Sequence, residues 1–128
     1  MVGAGPLLLI DDDEDYTSLM KLILEDEGYS VDCASNGYEG VIKAEPGKYA
    51  VVITDFVMPI LKGDEVADRI RKIDAKVELI LLTGYKPAIP ASTLRKFNSV
   101  LEKPINPAQI LATLGKVLGQ RPIRLAVR

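Results

Sequence analysis

At 128 residues the chain has room for one domain with a single core, and no second domain fits. Sixteen Lys and Arg against eighteen Asp and Glu leave a formal charge of -2, which offers no general surface for nucleic acid. Histidine is absent, so any mechanism that needs an imidazole base, a His ligand or a phosphohistidine on this chain is excluded.

The opening MVGAGPLLLI has no basic region and runs straight into acids, so it does not read as a signal peptide. No run approaches membrane-spanning length, and a cytoplasmic location is expected. The G-x-G within VGAGP precedes the first strand instead of following one, which rules out a dinucleotide loop. Next comes LLLIDDDEDY, residues 7–16, where an apolar run stops against consecutive acids. Such a run suits a strand buried on both faces of a parallel sheet, with the acids at its carboxyl end. Asp13, Glu14 and Asp15 are explained as the cap and first turn of the following helix, whose positive end favours acids. Asp11 and Asp12 precede the cap. Two like charges about 4 Å apart repel by roughly 4 kcal/mol at an effective dielectric of about 20. A bound cation removes that cost, so this pair is a candidate metal site.

From Glu14, apolar Tyr16, Leu19, Met20 and Ile23 recur at helical spacing and predict an inward face, ending near Gly28. SVDCA alternates as an edge strand does, with Val31 and Cys33 inward and Ser30, Asp32 and Ala34 outward. Cys33 is the one cysteine, so it forms no internal disulfide and reads as a small buried hydrophobe. A short helix is predicted over residues 37–45, carrying Tyr38, Val41 and Ile42 inward and stopped by Pro46-Gly47. The buried strand AVVIT ends in Asp55, and the loop FVMPILKG leads to a helix over residues 64–73 with Val66, Ala67, Ile70 and Ile73 on one face. VELILLT, the next strand, ends at Thr83-Gly84. Two prolines then delay any helix to about Pro90 and keep it short. SVLEK ends at Lys103-Pro104, and Asn106 caps a last helix with Pro107 in its first turn, Ile110, Leu111, Leu114, Val117 and Leu118 inward, and Gly119 closing it. In the tail RPIRLAVR, Ile123, Leu125 and Val127 alternate with Arg124, Ala126 and Arg128; it reads as a frayed terminus, with an extra strand or partner contact as the alternative. Strands alternating with helices specify an α/β fold, a parallel sheet covered on both faces.

Because parallel strands point the same way, Asp11 and Asp12, Asp55, Thr83 and Lys103 converge on one rim. Singly, each is an ordinary strand-end residue. Together they supply carboxylates for a hard cation, one carboxylate as nucleophile, and a hydroxyl and an ammonium for a transferred oxyanion. Phosphoryl transfer asks a protein for little beyond such positioning and neutralisation.

The acid pair, Asp55 followed by Val57-Met58-Pro59, Gly63, Thr83 and Lys103-Pro104 together resemble the response-regulator receiver domain of two-component signalling, over residues 6–119. The resemblance leaves residues 1–5 as an N-terminal extension and 120–128 as a tail. It implies a doubly wound (βα)5 parallel sheet of order 2-1-3-4-5, flavodoxin-like. It further implies Asp55 as phosphoacceptor and Mg2+, or Mn2+ in its place, bound by Asp12, Asp55 and the Val57 backbone carbonyl, with Asp11 acting through a water. Thr83 and Lys103 would contact the phosphoryl oxygens, and a cis bond would precede Pro104. The implied donor is a sensor histidine kinase or histidine phosphotransfer protein. Direct nucleic-acid binding, membrane association and an enzymatic role are not implied, and the expected state is a monomer or a phosphorylation-dependent dimer.

The chain departs from the family at Val100, where receivers commonly place an aromatic switch three residues before the strand-end lysine. Phe97 reads as a core anchor for the short segment after Thr83, not as a displaced switch. With no effector domain in these residues, the chain is expected to be either a single-domain phosphorelay protein or a receiver from a longer hybrid kinase or regulator. A receiver-like module working without phosphorylation is the alternative function, but its hallmark, a lost acid or lysine, is absent. An aspartate-nucleophile phosphatase needs a carboxylate where Val57 stands, and a flavin module needs a phosphate loop where the acids would repel it.

Overall fold

The structure, a computed structural model, describes residues 6–104 and 106–119; the VGAG segment and the alternating tail lie outside them. Strands β1 (Leu7–Ile10), β2 (Val31–Ala34), β3 (Val51–Asp55), β4 (Glu78–Thr83) and β5 (Ser99–Glu102) form one parallel sheet of order β2-β1-β3-β4-β5. The helices are α1 (Glu14–Asp26), α2 (Gly37–Lys43), α3 (Gly63–Ile73), α4 (Ala91–Leu94) and α5 (Pro107–Val117), with a 3-10 turn over Lys86–Ala88.

The uninterrupted apolar strands are explained by two cores, one on each face of the sheet, where length alone suggested a single core. Leu8, Ile10, Val52, Leu79 and Leu81 pack with α3 residues Val66, Ala67 and Ile70 and with Phe97. Leu7, Leu9, Val51, Ile53, Ile80 and Leu82 pack with Met20 and Leu24 of α1 and Ile110 and Leu114 of α5. Alternate residues of each strand thus serve opposite cores. Burying a leucine fully is worth about 1.5–3 kcal/mol, so each four-residue apolar run strongly sets its strand's place in the sheet. Phe97 is a core residue, as expected, and Val100 packs partly against the same core. The segment after β4 is short as anticipated, its helix opening at Pro90.

Three faces differ from the sequence pattern. In α1 the buried residues are Thr17, Met20 and Leu24, while Leu19 is 57% exposed. The Thr17 hydroxyl donates to the Glu14 carbonyl at 3.1 Å, so a polar residue satisfied within its own helix takes the core position that a hydrophobicity pattern assigns elsewhere. In α2, Tyr38 and Ile42 are 54% and 60% exposed, the inward residues are Gly37 and Gly40, and the helix ends at Lys43. A Cβ on Gly37 would lie 2.6 Å from Val66 Cγ2, and one on Gly40 would collide with the Ile10 side chain. The helix approaches α3 at Gly37 and the sheet at Gly40 so closely that only small residues fit, and Tyr38 and Ile42 are turned out. In β2, an edge strand as expected, Ala34 is buried and Cys33 only partly so. Helices cover both faces of this edge, so Val31 and Ala34 serve opposite cores.

Candidate functional site

Strand β1 has β2 on one side and β3 on the other, so the order of the chain reverses there and a crevice opens beyond the carboxyl ends of β1 and β3. Asp11 follows β1 and is 1% exposed, its N–H held by the Ala34 carbonyl at 3.1 Å. One of its carboxylate oxygens accepts the Asp13 N–H at 3.0 Å and the other accepts the Lys103 ammonium at 2.7 Å. Asp13 itself caps α1, accepting the Tyr16 N–H at 3.1 Å, as the acid run suggested. Asp12 is exposed. Asp55 closes β3; its Oδ1 accepts the Phe56 N–H at 2.9 Å and its Oδ2 lies 3.6 Å from Lys103 Nζ. Carboxylate oxygens of Asp11, Asp12 and Asp55 lie within 4.8 Å of one another.

Thr83 ends β4, is 3% exposed, and its Oγ1 accepts the Tyr85 N–H at 3.2 Å. The Lys103 N–H donates to the Thr83 carbonyl at 2.8 Å, carrying β5's ladder to the rim, and the Lys103-Pro104 peptide is cis. The loop from Asp55 to α3 is drawn back over β3. The Gly63 N–H donates to the Phe56 carbonyl at 2.9 Å, and a Cβ on Gly63 would stand 2.8 Å from the Asp55 carbonyl. At its apex the Leu61 N–H donates to the Pro59 carbonyl at 2.9 Å with Ile60 at φ 75°, a tight three-residue turn that strains a β-branched residue.

Burial pushes the Asp55 carboxyl up to about 6, against the pull of Lys103 and with a further push from Asp11 and Asp12. Burial alone would lower Lys103, but its hydrogen bond to Asp11 and the charge of Asp55 outweigh this and leave it above the usual lysine range. A carboxyl group with a native pKa above its unfolded value holds more protons when folded, so its contribution to stability rises as pH falls. In chelator, wild type is therefore expected to be less stable than Asp55→Asn at pH 7, by on the order of 1–2 kcal/mol after allowing for solvent screening. The gap should close as pH falls from about 6 to the usual value of 3.8. Melting curves of both proteins across that range check this, and a gap independent of pH would contradict it.

All the residues singled out in the sequence stand on this rim. Asp11, Asp12, Asp55 and Lys103 meet at one point, Thr83 lies beside Lys103, and Val57, two residues past Asp55, is 69% exposed. Sequence reasoning missed Tyr16, which it read as a core position. The Lys103 ammonium stands 4.7 Å from the centroid of its ring. The available signal was position, since Tyr16 lies one helical turn beyond the rim acids.

The response regulator receiver domain model matches residues 7–115, spanning Asp11, Asp12, Asp55, Thr83 and Lys103. The chain belongs to the response-regulator receiver family. This family serves two-component signal transduction, and the receiver reading of the sequence and the 2-1-3-4-5 flavodoxin-like sheet agree with it. The uncharacterized transcriptional regulatory protein YkoG of Bacillus subtilis is 36% identical over 119 residues, covering 91% of this chain and 52% of that protein. The chain spans about half the length of the first curated relatives it matches. A CheY-like response regulator receiver domain protein from Methanospirillum hungatei superposes with a TM-score of 0.82 at 26% identity, covering 91% of this chain and 94% of that one. The response regulator TrrA from Thermotoga maritima, solved in complex with Mg2+-BeF, gives a TM-score of 0.80 at 32% identity, with 88% and 98% covered. Among the described residues of this receiver, no helix is long and apolar enough to cross a membrane.

Proposed function

We propose that residues 6–119 act as a phosphoacceptor module that takes a phosphoryl group onto Asp55 from a phosphohistidine of a sensor kinase or phosphotransfer protein. The observation that carries this reading is a single point where a rim carboxylate, Asp55, lies 3.6 Å from an ammonium inside a cluster of three acids. Three carboxylates against one lysine leave an excess of negative charge, and the donors are all hard oxygens, which fits Mg2+ or Mn2+. Asp12, Asp55 and the Val57 carbonyl would hold the ion, and Asp11 would act through a water. When bound, the ion supplies neutralisation of charge on the acids and the entering phosphoryl oxygens. In the transfer, an Asp55 oxygen forms the new O–P bond as the P–N bond breaks, and the imidazole nitrogen keeps the electron pair and takes up a proton. Lys103, already paired with two carboxylates, is poised to meet phosphoryl oxygens. Thr83 Oγ1 accepts from the Tyr85 N–H, which leaves the hydroxyl hydrogen free to donate to another. Phosphoramidate, which carries the same P–N bond, tests the reading: with Mg2+, intact mass should show one added phosphoryl group, stable in acid and labile in base.

The lifetime of that group depends on residues particular to this chain. Water must approach phosphorus in line, past the side chains two residues beyond Asp55 and Thr83, which are Val57 and Tyr85. Both are exposed, at 69% and 64%. Val57 has no group to orient a water, and a Tyr85 ring turned over the approach would shield it, so hydrolysis is expected to be slow. After donor removal, Val57→Asn, Tyr85→Ala and the double variant should each lose the group several-fold faster than wild type. Equal decay in all four would assign the lifetime to the cation site, Thr83 and Lys103 alone.

A further inference from the structure

The Lys103 ammonium is held on more than its charged sides. Its side chain is 23% exposed, with Asp11 at 2.7 Å, Asp55 at 3.6 Å and the Tyr16 ring centroid at 4.7 Å. Tyr16 is itself anchored: its backbone sits in the first turn of α1 with the N–H held by the Asp13 carboxylate, and its side chain packs against the core that holds Met20 and Leu24. The acid run that supplies Asp11 and Asp12 thus also fixes the start of the helix from which the ring projects. The Tyr16 hydroxyl is buried and meets no hydrogen-bond partner among the described residues. A buried hydroxyl left unpaired is unfavourable. Burial raises its pKa, with Lys103 opposing, so it stays protonated and carries no charge toward the lysine at neutral pH. What this side chain offers Lys103 is the electron-rich face of its ring.

We infer that Tyr16 is a positioning residue for Lys103, its ring face holding the ammonium against Asp11 and toward Asp55, where it must meet the transferred group. A cation over an aromatic face is attracted by the ring quadrupole, more so when partly desolvated. Without the ring, the strong pair with Asp11 still forms, but the flexible four-carbon stem can turn the ammonium away from Asp55. The inference rests on the acceptor reading given above.

The test compares wild type with Tyr16→Phe, which keeps the ring and loses the unpaired hydroxyl, and with Tyr16→Leu and Tyr16→Met, which fill the space without a ring. Phosphorylation by phosphoramidate with Mg2+ is followed for the rate at saturating donor and the half-saturating donor concentration. The Lys103 ε-methylene protons are followed by NMR in the unphosphorylated proteins, and folding by thermal melting. Tyr16→Phe should phosphorylate as wild type does and melt no lower. The Leu and Met variants should lose about tenfold in the saturated rate, the size expected of a partly desolvated cation over a ring, with little change in half-saturation. Ring current should shift the Lys103 protons upfield in wild type and Tyr16→Phe, and the shift should vanish in Tyr16→Leu and Tyr16→Met. The inference is overturned if a folded ringless variant keeps the wild-type rate, if Tyr16→Phe loses as much as they do, or if the wild-type protons show no upfield shift. A wild type that takes up no phosphoryl group would instead refute the acceptor reading, and the NMR arm would still decide whether the ring holds the lysine.

Discussion

Asp55→Asn is expected to abolish labelling by phosphoramidate and Mg2+ while leaving the protein folded. An amide oxygen is not a competent nucleophile toward phosphorus in this setting, and no neighbour stands ready to replace it. Asp11 is buried and engaged at both oxygens by the Asp13 N–H and the Lys103 ammonium. Asp12 is exposed, but it follows Asp11 and lies outside the β3 ladder that places Asp55 beside Leu82 and the β4 end. The fold should tolerate the change well. The side-chain oxygen can still accept the Phe56 N–H, and a carboxylate disfavoured by burial and by Asp11 and Asp12 is removed. Intact mass after donor treatment reads the outcome, and full-stoichiometry label in the variant would falsify the acceptor assignment.

The second large effect is on the metal. If Asp12 is a ligand as proposed, Asp12→Ala should weaken Mg2+ binding by more than roughly 100-fold, since it would delete a charged oxygen ligand from a small set and even outer groups that orient ligands are worth about 10–100-fold. Because Asp12 is exposed, its removal opens no cavity, and melting in chelator should be unchanged or slightly higher with one fewer negative charge in the cluster. Asp11 is no equivalent target. Its loss would strand Lys103 without its 2.7 Å partner, so altered stability and altered metal affinity would be confounded. Titration of Mg2+ into wild type and Asp12→Ala gives the answer, and equal affinities would move the ion away from Asp12.

Apolar runs ending in chemistry-bearing residues were legible because a strand buried on both faces has no polar positions to blur its limits. Leu7–Ile10 ends at Asp11, Val51–Asp55 at its own acid, and Glu78–Thr83 at its own threonine. Since all strands are parallel, reading their ends was enough to gather Asp11, Asp12, Asp55, Thr83 and Lys103 on one rim. Hydrophobic periodicity held for α3 and α5 and was weaker for α1 and α2. It put Leu19, Tyr38 and Ile42 inward, where the structure has Thr17, Gly37 and Gly40.

The amino-acid sequence by itself therefore determined the order of elements, the parallel sheet and the membership of the rim, which follow from local pattern and strand direction, while the motifs at the strand ends carried the resemblance to the receiver family. Tertiary structure alone decided how closely each helix lies against the sheet, and so which small or self-satisfied residues could replace larger apolar ones at the contact. It alone set the distances as well: Lys103 2.7 Å from Asp11, 3.6 Å from Asp55 and 4.7 Å from the Tyr16 ring. Those distances arise where three elements remote in sequence meet, and the burial they share lifts the Asp55 pKa to about 6, which no reading of neighbours along the chain contains.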